Sequence, residues 1–239
     1  MEIGEIIGDA IRYPLNHTKS LLIYLVLYFI MAVVIIFTGV GLVAGQQANN
    51  LFSSGVIGIV GLLLVLIISF LINGYGLDIV KFGINRSEDA PEIDIAKQVI
   101  NGIKLTIVAF IYFIIPLIIY GILSNINQTL GLIIGSICFI IFGFALIMGE
   151  CRLANTESIG AALNMPEALK DLQAVGIVKT LAIIVIILVV AIILNWIGGL
   201  FANMGDIGSF ISAILSAIIG AYTFFLGNRA AGLLYSDIA

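Results

Sequence analysis

Four stretches of this chain contain no Asp, Glu, Lys or Arg, and they constrain its fold more than any other feature. Residues 20–77 run for 58 positions without a charge, 105–149 for 45, 180–205 for 26 and 207–228 for 22. One bilayer crossing takes roughly 20 apolar residues as a helix. The two longer stretches each hold two crossings, because each has polar punctuation near its centre: GQQANNLFSSG at 45–55 and SNINQT at 124–129. The shorter stretches hold one crossing each. The predicted spans are 20–43, 55–77, 105–123, 129–148, 177–196 and 207–227.

Composition excludes the alternatives. Of 239 residues, 62% are hydrophobic and 10% charged, against about 25% charged in soluble domains. So few charges cannot cover a water-soluble surface. Inside a bilayer the backbone must satisfy its own hydrogen bonds. Runs such as LLIYLVLYFIMAVVIIF lack the alternation of a membrane β-strand, so the crossings are helices. No basic region precedes a short apolar one at the amino terminus, and the first apolar run is too long for a secretory signal. The fold expected is an all-α integral membrane protein forming one transmembrane domain over 1–239.

The basic residues orient it. With six crossings, Arg12, Lys19, Lys81, Arg86, Lys97, Lys104, Arg152, Lys170, Lys179 and Arg229 all fall on one side, and the opposite loops carry a single acid, Asp206. The positive-inside rule puts the basic side, and both termini, in the cytoplasm of a cell-membrane protein. That side also holds 13 of the 14 acids. It is a mixed-charge face, and nucleic acid, which selects strongly basic surfaces, is excluded as a partner.

The charges also expose an internal repeat. DAPEIDIAKQVINGIKL (89–105) precedes the third crossing and NMPEALKDLQAVGIVKT (164–180) the fifth. Asp89 and Asn164 are each followed three residues later by Glu, as in a capping box. Ile3, Ile6, Ile7, Ala10 and Ile11 give the amino-terminal segment a similar amphipathic face, as do Ile93, Ala96, Ile100 and Ile103 in the second block and Ala168, Leu169 and Leu172 in the third. Such segments lie at the membrane interface or extend the crossings into the cytoplasm. GFALIMGECR (143–152) and GAYTFFLGNR (220–229) repeat the outgoing helices. The unit is an amphipathic helix plus a helical hairpin, used three times over about 1–83, 89–155 and 164–232. An even number of crossings per unit makes the repeats parallel, unlike inverted transporter repeats.

Few residues invite chemistry. Gly131 and Gly135, and the ladder Ser212, Ser216 and Gly220, are small-residue faces that let helices approach closely, within the chain or in a homo-oligomer. Asp78, Glu150, Arg152 and Arg229 stand at helix ends near the charged side, as boundary charges, lipid-headgroup contacts or the lining of an entrance. Ionisable groups deep in crossings mark pumps and proton relays, and no acid lies deep here. His17 is the only histidine, no metal-ligand spacing occurs, and neither a metal nor a cofactor is expected. Cys138 and Cys151 are about 20 Å apart along one helix, too far for a disulfide. Pro116 interrupts the hydrogen bonding of the third crossing.

The repeated organisation and the stretches IGDAIRYPLNHTKSLL (7–22), INGYGLDIVKFG (72–83) and GNRAAGLLYSDIA (227–239) resemble the archaeal family known as domain of unknown function 4013, common in methanogens. The resemblance implies a multi-pass membrane protein and supplies no catalytic residue or cofactor. The function expected is a non-enzymatic membrane scaffold or partner subunit, in contact with lipids and with a second copy or another membrane protein. The alternatives are a channel or facilitator for a small solute, and a lipid-acting enzyme assembled from Asp78, Glu150, Arg152 and Arg229.

Overall fold

A computed structural model describes residues 1–47 and 50–239. Ala48 and Asn49, in the predicted punctuation at 45–55, lie outside the described residues, as does the side chain of Asp206. The described residues form nine helices: α1 (Ile3–Asn16), α2 (Thr18–Gln47), α3 (Leu51–Ile84), α4 (Ile95–Ile126), α5 (Gln128–Thr156), α6 (Ile159–Ala162), α7 (Met165–Val175), α8 (Ile177–Gly199) and α9 (Gly205–Tyr235). Six of them (α2–α5, α8 and α9) are long and apolar enough to cross a membrane, and each contains a span predicted from the charge gaps. The turn between α4 and α5 is one residue long. Asn127 caps α5 by accepting from the Leu130 N–H at 3.1 Å.

The helices overrun the predicted spans at the charged end, and the core reaches into that overrun. α3, α5 and α9 continue to Ile84, Thr156 and Tyr235. Val80, Cys151, Leu153, Ala230 and Leu233 from these extensions are buried together with Leu77 and Met148 at the ends of the predicted spans. Two short amphipathic helices close over them. Ile6 and Ala10 of α1 and Ala168 of α7 are fully buried in the same cluster. The apolar faces of α1 and α7 are therefore turned onto protein, where a purely interfacial helix would turn them to lipid. Gly176, at φ +101°, breaks the chain between α7 and α8, a left-handed conformation that glycine adopts without a Cβ penalty.

The second block departs from the expected pattern. It forms no separate amphipathic helix and instead continues directly into α4. Asp94, whose carboxylate accepts from the Lys97 N–H at 3.0 Å, is the N-cap, so the box expected at Asp89 and Glu92 does not form. Asn164 does cap α7, accepting from the Glu167 N–H at 3.4 Å. Ile93, Ile100 and Ile103 are exposed, whereas Gln98 and Gly102 are buried. The reason is close backbone approach. A side chain at Gly74 of α3 would run into the Gln98 carbonyl, and one at Gly102 would run into the Phe70 carbonyl. α4 thus turns its smallest face, rather than its most apolar one, towards α3.

α3 is the hub, packing against α2, α4, α5 and α9. Its contact with α9 is equally close, since a Cβ on Gly232 would strike the Val80 carbonyl. Beside this crossing Tyr24 stacks on Tyr75 with centroids 4.2 Å apart, and Phe225 packs edge-on to Tyr24 at 5.8 Å. The opposite half of the bundle is open. Ile36, Phe37, Ile59, Ile192 and Phe210 are all more than half exposed.

Candidate functional site

The charged end holds three joints, each tying one helix to the next by an ion pair. At the first, Arg229 of α9, buried to 1% exposure, meets Asp9 of α1. Its Nε donates to Asp9 Oδ1 at 2.7 Å and its Nη2 to Oδ2 at 3.2 Å, a fork geometry that suits guanidinium and carboxylate. Nη1 donates to the Ser87 carbonyl at 2.7 Å, and the guanidinium lies 4.7 Å from the Tyr13 ring centroid. Burial raises the Tyr13 phenol far above its ordinary range even beside this cation. Tyr222 adds a second tie by donating to the Ile11 carbonyl at 3.0 Å.

At the second joint, Arg152 of α5 donates from Nη1 to Asp171 Oδ2 of α7 at 2.7 Å and from Nε to the Ala161 carbonyl at 3.0 Å. The Tyr235 hydroxyl of α9 donates to the same Asp171 oxygen at 2.9 Å. At the third the signs are reversed. Asp78 of α3, 3% exposed, pairs with Lys97 of α4 at 3.0 Å and accepts from Asn101 Nδ2 at 3.3 Å. Its other oxygen, Oδ2, is buried without a hydrogen-bond partner among the described residues. It borders a cavity of about 10 Å³, room for a single water.

The rim carries further pairs. Asp237 accepts from Lys179 at 2.6 Å, the Met1 amino group at 2.8 Å and Arg86 at 3.0 Å. These cations, Lys179 foremost, hold its carboxyl below the ordinary range. Glu157 is lowered likewise, chiefly by its bond to Lys81. His17 donates from Nδ1 to the Tyr13 carbonyl at 2.9 Å. It shares an open hollow of about 680 Å³ with Glu5, Asp9, Arg12 and Glu88. Cys138 and Cys151 are both free thiols.

The four charged residues singled out from sequence are therefore not brought together. Asp78, Arg152 and Arg229 occupy three different joints with no shared partner, and Glu150 lies elsewhere. It lines a groove of about 320 Å³ between α5, α8 and α9, walled by Ile183, Ile187, Leu188 and Phe224. Of the small-residue faces, Gly131 and Gly135 lie against Ser124 and Tyr120 of α4. Ser212 is half-buried, Ser216 is exposed, and a Cβ on Gly220 would meet nothing within 4 Å. Sequence reasoning passed over Asp9 and Asp171 as ordinary polar-face residues. It also passed over the Asn-Gly dipeptides 73–74 and 101–102, whose recurrence on facing helices was the available signal for the α3–α4 contact.

An uncharacterized protein of Methanocaldococcus jannaschii is 25% identical over 222 residues, covering 82% of this chain and 78% of the relative. No solved structure matches the chain. The family described as "Protein of unknown function (DUF4013)" matches residues 57–203, from within α3 to just beyond α8. Two of the three stretches that carry the resemblance, 7–22 and 227–239, fall outside that segment. The chain belongs to the DUF4013 family.

Proposed function

We propose that this protein is a non-enzymatic membrane scaffold or partner subunit, built from three parallel repeats and set in the cell membrane with its charged end and both termini in the cytoplasm. One observation carries the reading: the charged groups of the three joints pair with one another. An enzyme needs polar groups converging on a substrate, whereas here the cation of each joint already holds a carboxylate.

The joints also support the repeat. Each outgoing helix (α3, α5 and α9) reaches the cytoplasmic segment of the following unit, through Asp78–Lys97, Arg152–Asp171 and Arg229–Asp9. The last joint returns from the third unit to the first, so the units close into a ring. On this reading the open outer half meets lipid or a partner helix, and the α9 face of Ser212, Ser216 and Gly220 meets a second copy.

Subunit mass in nanodiscs tests the proposal, alongside solute flux into liposomes. The scaffold reading expects a defined oligomer, or a stable complex with a membrane partner, and flux no higher than in empty liposomes. Sustained flux of a small solute would replace it with the facilitator. Thiol labelling of single cysteines near Asp171 and near Asn125 tests the orientation, with the former expected to react only from the cytoplasmic side.

A further inference from the structure

The joint between α5 and α8 differs from its two counterparts. In the ring of three units, α3 packs on α4 and α9 packs on α2, but α5 makes no comparable contact with α8. The groove of about 320 Å³ occupies that place. Glu150 lies on its wall and has no hydrogen bond or ion pair with any described residue. The neighbouring cations are engaged elsewhere: Arg152 is held by Asp171 and Lys179 by Asp237. Polar groups around Glu150 offer no compensating charge. Thr180 and Thr223 donate their hydroxyl protons to the carbonyls of Gly176 and Ile219, and Asn228 donates its amide to the Phe224 carbonyl. Among the described residues, the one uncompensated charge on the groove wall is the Glu150 carboxylate.

The groove is long enough to seat a hydrocarbon chain. On α9 it runs from Thr223 to Leu234, which is about 16 Å at the helical rise. Ile147 and Glu150 line it on α5, and Ile183, Ile184, Ile187 and Leu188 give it an apolar wall on α8. A Cβ on Gly227 would meet nothing within 4 Å, so the α9 side is left unfilled.

We propose that this groove is a lipid site that takes one hydrocarbon chain of an amphiphile with a primary ammonium head, with the ammonium on the Glu150 carboxylate. A chain-length apolar wall that carries an unpaired carboxylate selects a tail and a cation together, and a half-buried charge-assisted hydrogen bond is among the stronger polar contacts. The inference rests on the scaffold reading and deepens it by naming what the scaffold holds.

The test uses the whole chain in phosphatidylcholine nanodiscs doped equally with phosphatidylethanolamine and phosphatidylglycerol, with retained lipids identified by native mass spectrometry. The expected result is roughly tenfold preferential retention of phosphatidylethanolamine, the ratio given by about 1.4 kcal/mol. Glu150→Gln should reduce the preference to under about twofold while lipid is still retained, since the wall is intact. Gly227→Leu should displace the retained lipid by filling the groove, and it improves helix propensity, so loss of fold does not confound it. Equal retention of all three lipids by the unsubstituted protein, or an unchanged preference in Glu150→Gln, would overturn the proposal. So would a lipid-free dimer that Gly227→Leu dissociates, because a second copy would then cover the groove. Lost selectivity at constant subunit mass and without flux defeats the lipid site alone, whereas flux with selectivity intact defeats the scaffold reading alone.

Discussion

The two halves of the bundle are made of similar residues and behave as different materials. At the charged end, helices meet through glycine backbones, aromatic rings stack, and Arg229 is buried on Asp9. At the opposite end the same helices carry isoleucine, leucine and phenylalanine outward. The difference teaches where such a protein gains its cohesion. Hydrocarbon solvates an apolar side chain as well as a neighbouring helix does, so apolarity alone does not draw membrane helices together. Close backbone contact, hydrogen bonds and ion pairs do; the ion pairs and the close contacts between hairpins lie at the charged end, whereas at the other end close approach stays within a hairpin, as at Gly131 on Ser124.

The comparison breaks most visibly at glycine. Gly232→Ala places a methyl group against the Val80 carbonyl and must part α3 from α9. It should cost about 3 kcal/mol or abolish the fold. Gly220→Ala, with open space around the new methyl, should stay within about 0.5 kcal/mol of the parent. Chemical unfolding in detergent micelles distinguishes them, and equal losses would mean that the outer half is packed as tightly as the inner.

A smaller effect is expected at the first joint, and it should be asymmetric. The Arg229 side chain is 2% exposed and that of Asp9 36%. Asp9→Asn leaves a buried guanidinium without its counter-ion and should cost about 2–3 kcal/mol, because stranding one member of a buried pair is expensive. Arg229→Met leaves a carboxylate that water can reach and should cost less. The reverse order in the same unfolding assay would show that Asp9 and not Arg229 is the desolvated partner.

The smallest effect is at the rim. The Asp237 carboxyl titrates lower in the folded protein than its ordinary value because Lys179 holds it. Its contribution is therefore complete above that ordinary value and is lost as the pH falls through the folded one. Acidification below about pH 4 should remove under about 1 kcal/mol, as for other exposed pairs. Asp237→Asn should already lack that contribution at neutral pH and show no further loss from this site on the acid limb.

Much of the fold was legible in the sequence because a bilayer penalises charge so heavily. The gaps between charged residues place all six long helices, and Asn127 falls within the polar punctuation that marks the second outer turn. What stayed hidden depends on distance across the chain. Arg229 and Asp9 lie at opposite ends of the sequence, and nothing local in either residue names its partner. The α4 face misled for a related reason: Ile93, Ile100 and Ile103 form the apolar stripe, but Gly102 allows the closer approach, and proximity prevailed over hydrophobicity. Glu150 was visible as a boundary charge, while its isolation from Arg152 two residues away follows only once α7 has brought in Asp171.

The contrast between the halves can be measured on the unsubstituted protein. A photoactivated carbene reagent dissolved in the bilayer of a nanodisc labels side chains that lipid reaches, and mass spectrometry reads the labels along the chain. Dense labelling is expected over α2, α8 and the outer half of α3, with sparse labelling over residues 72–84 and at the buried positions Met148, Cys151, Leu153, Leu226, Ala230 and Leu233. Labelling as sparse over the outer half as at those inner positions would contradict the account.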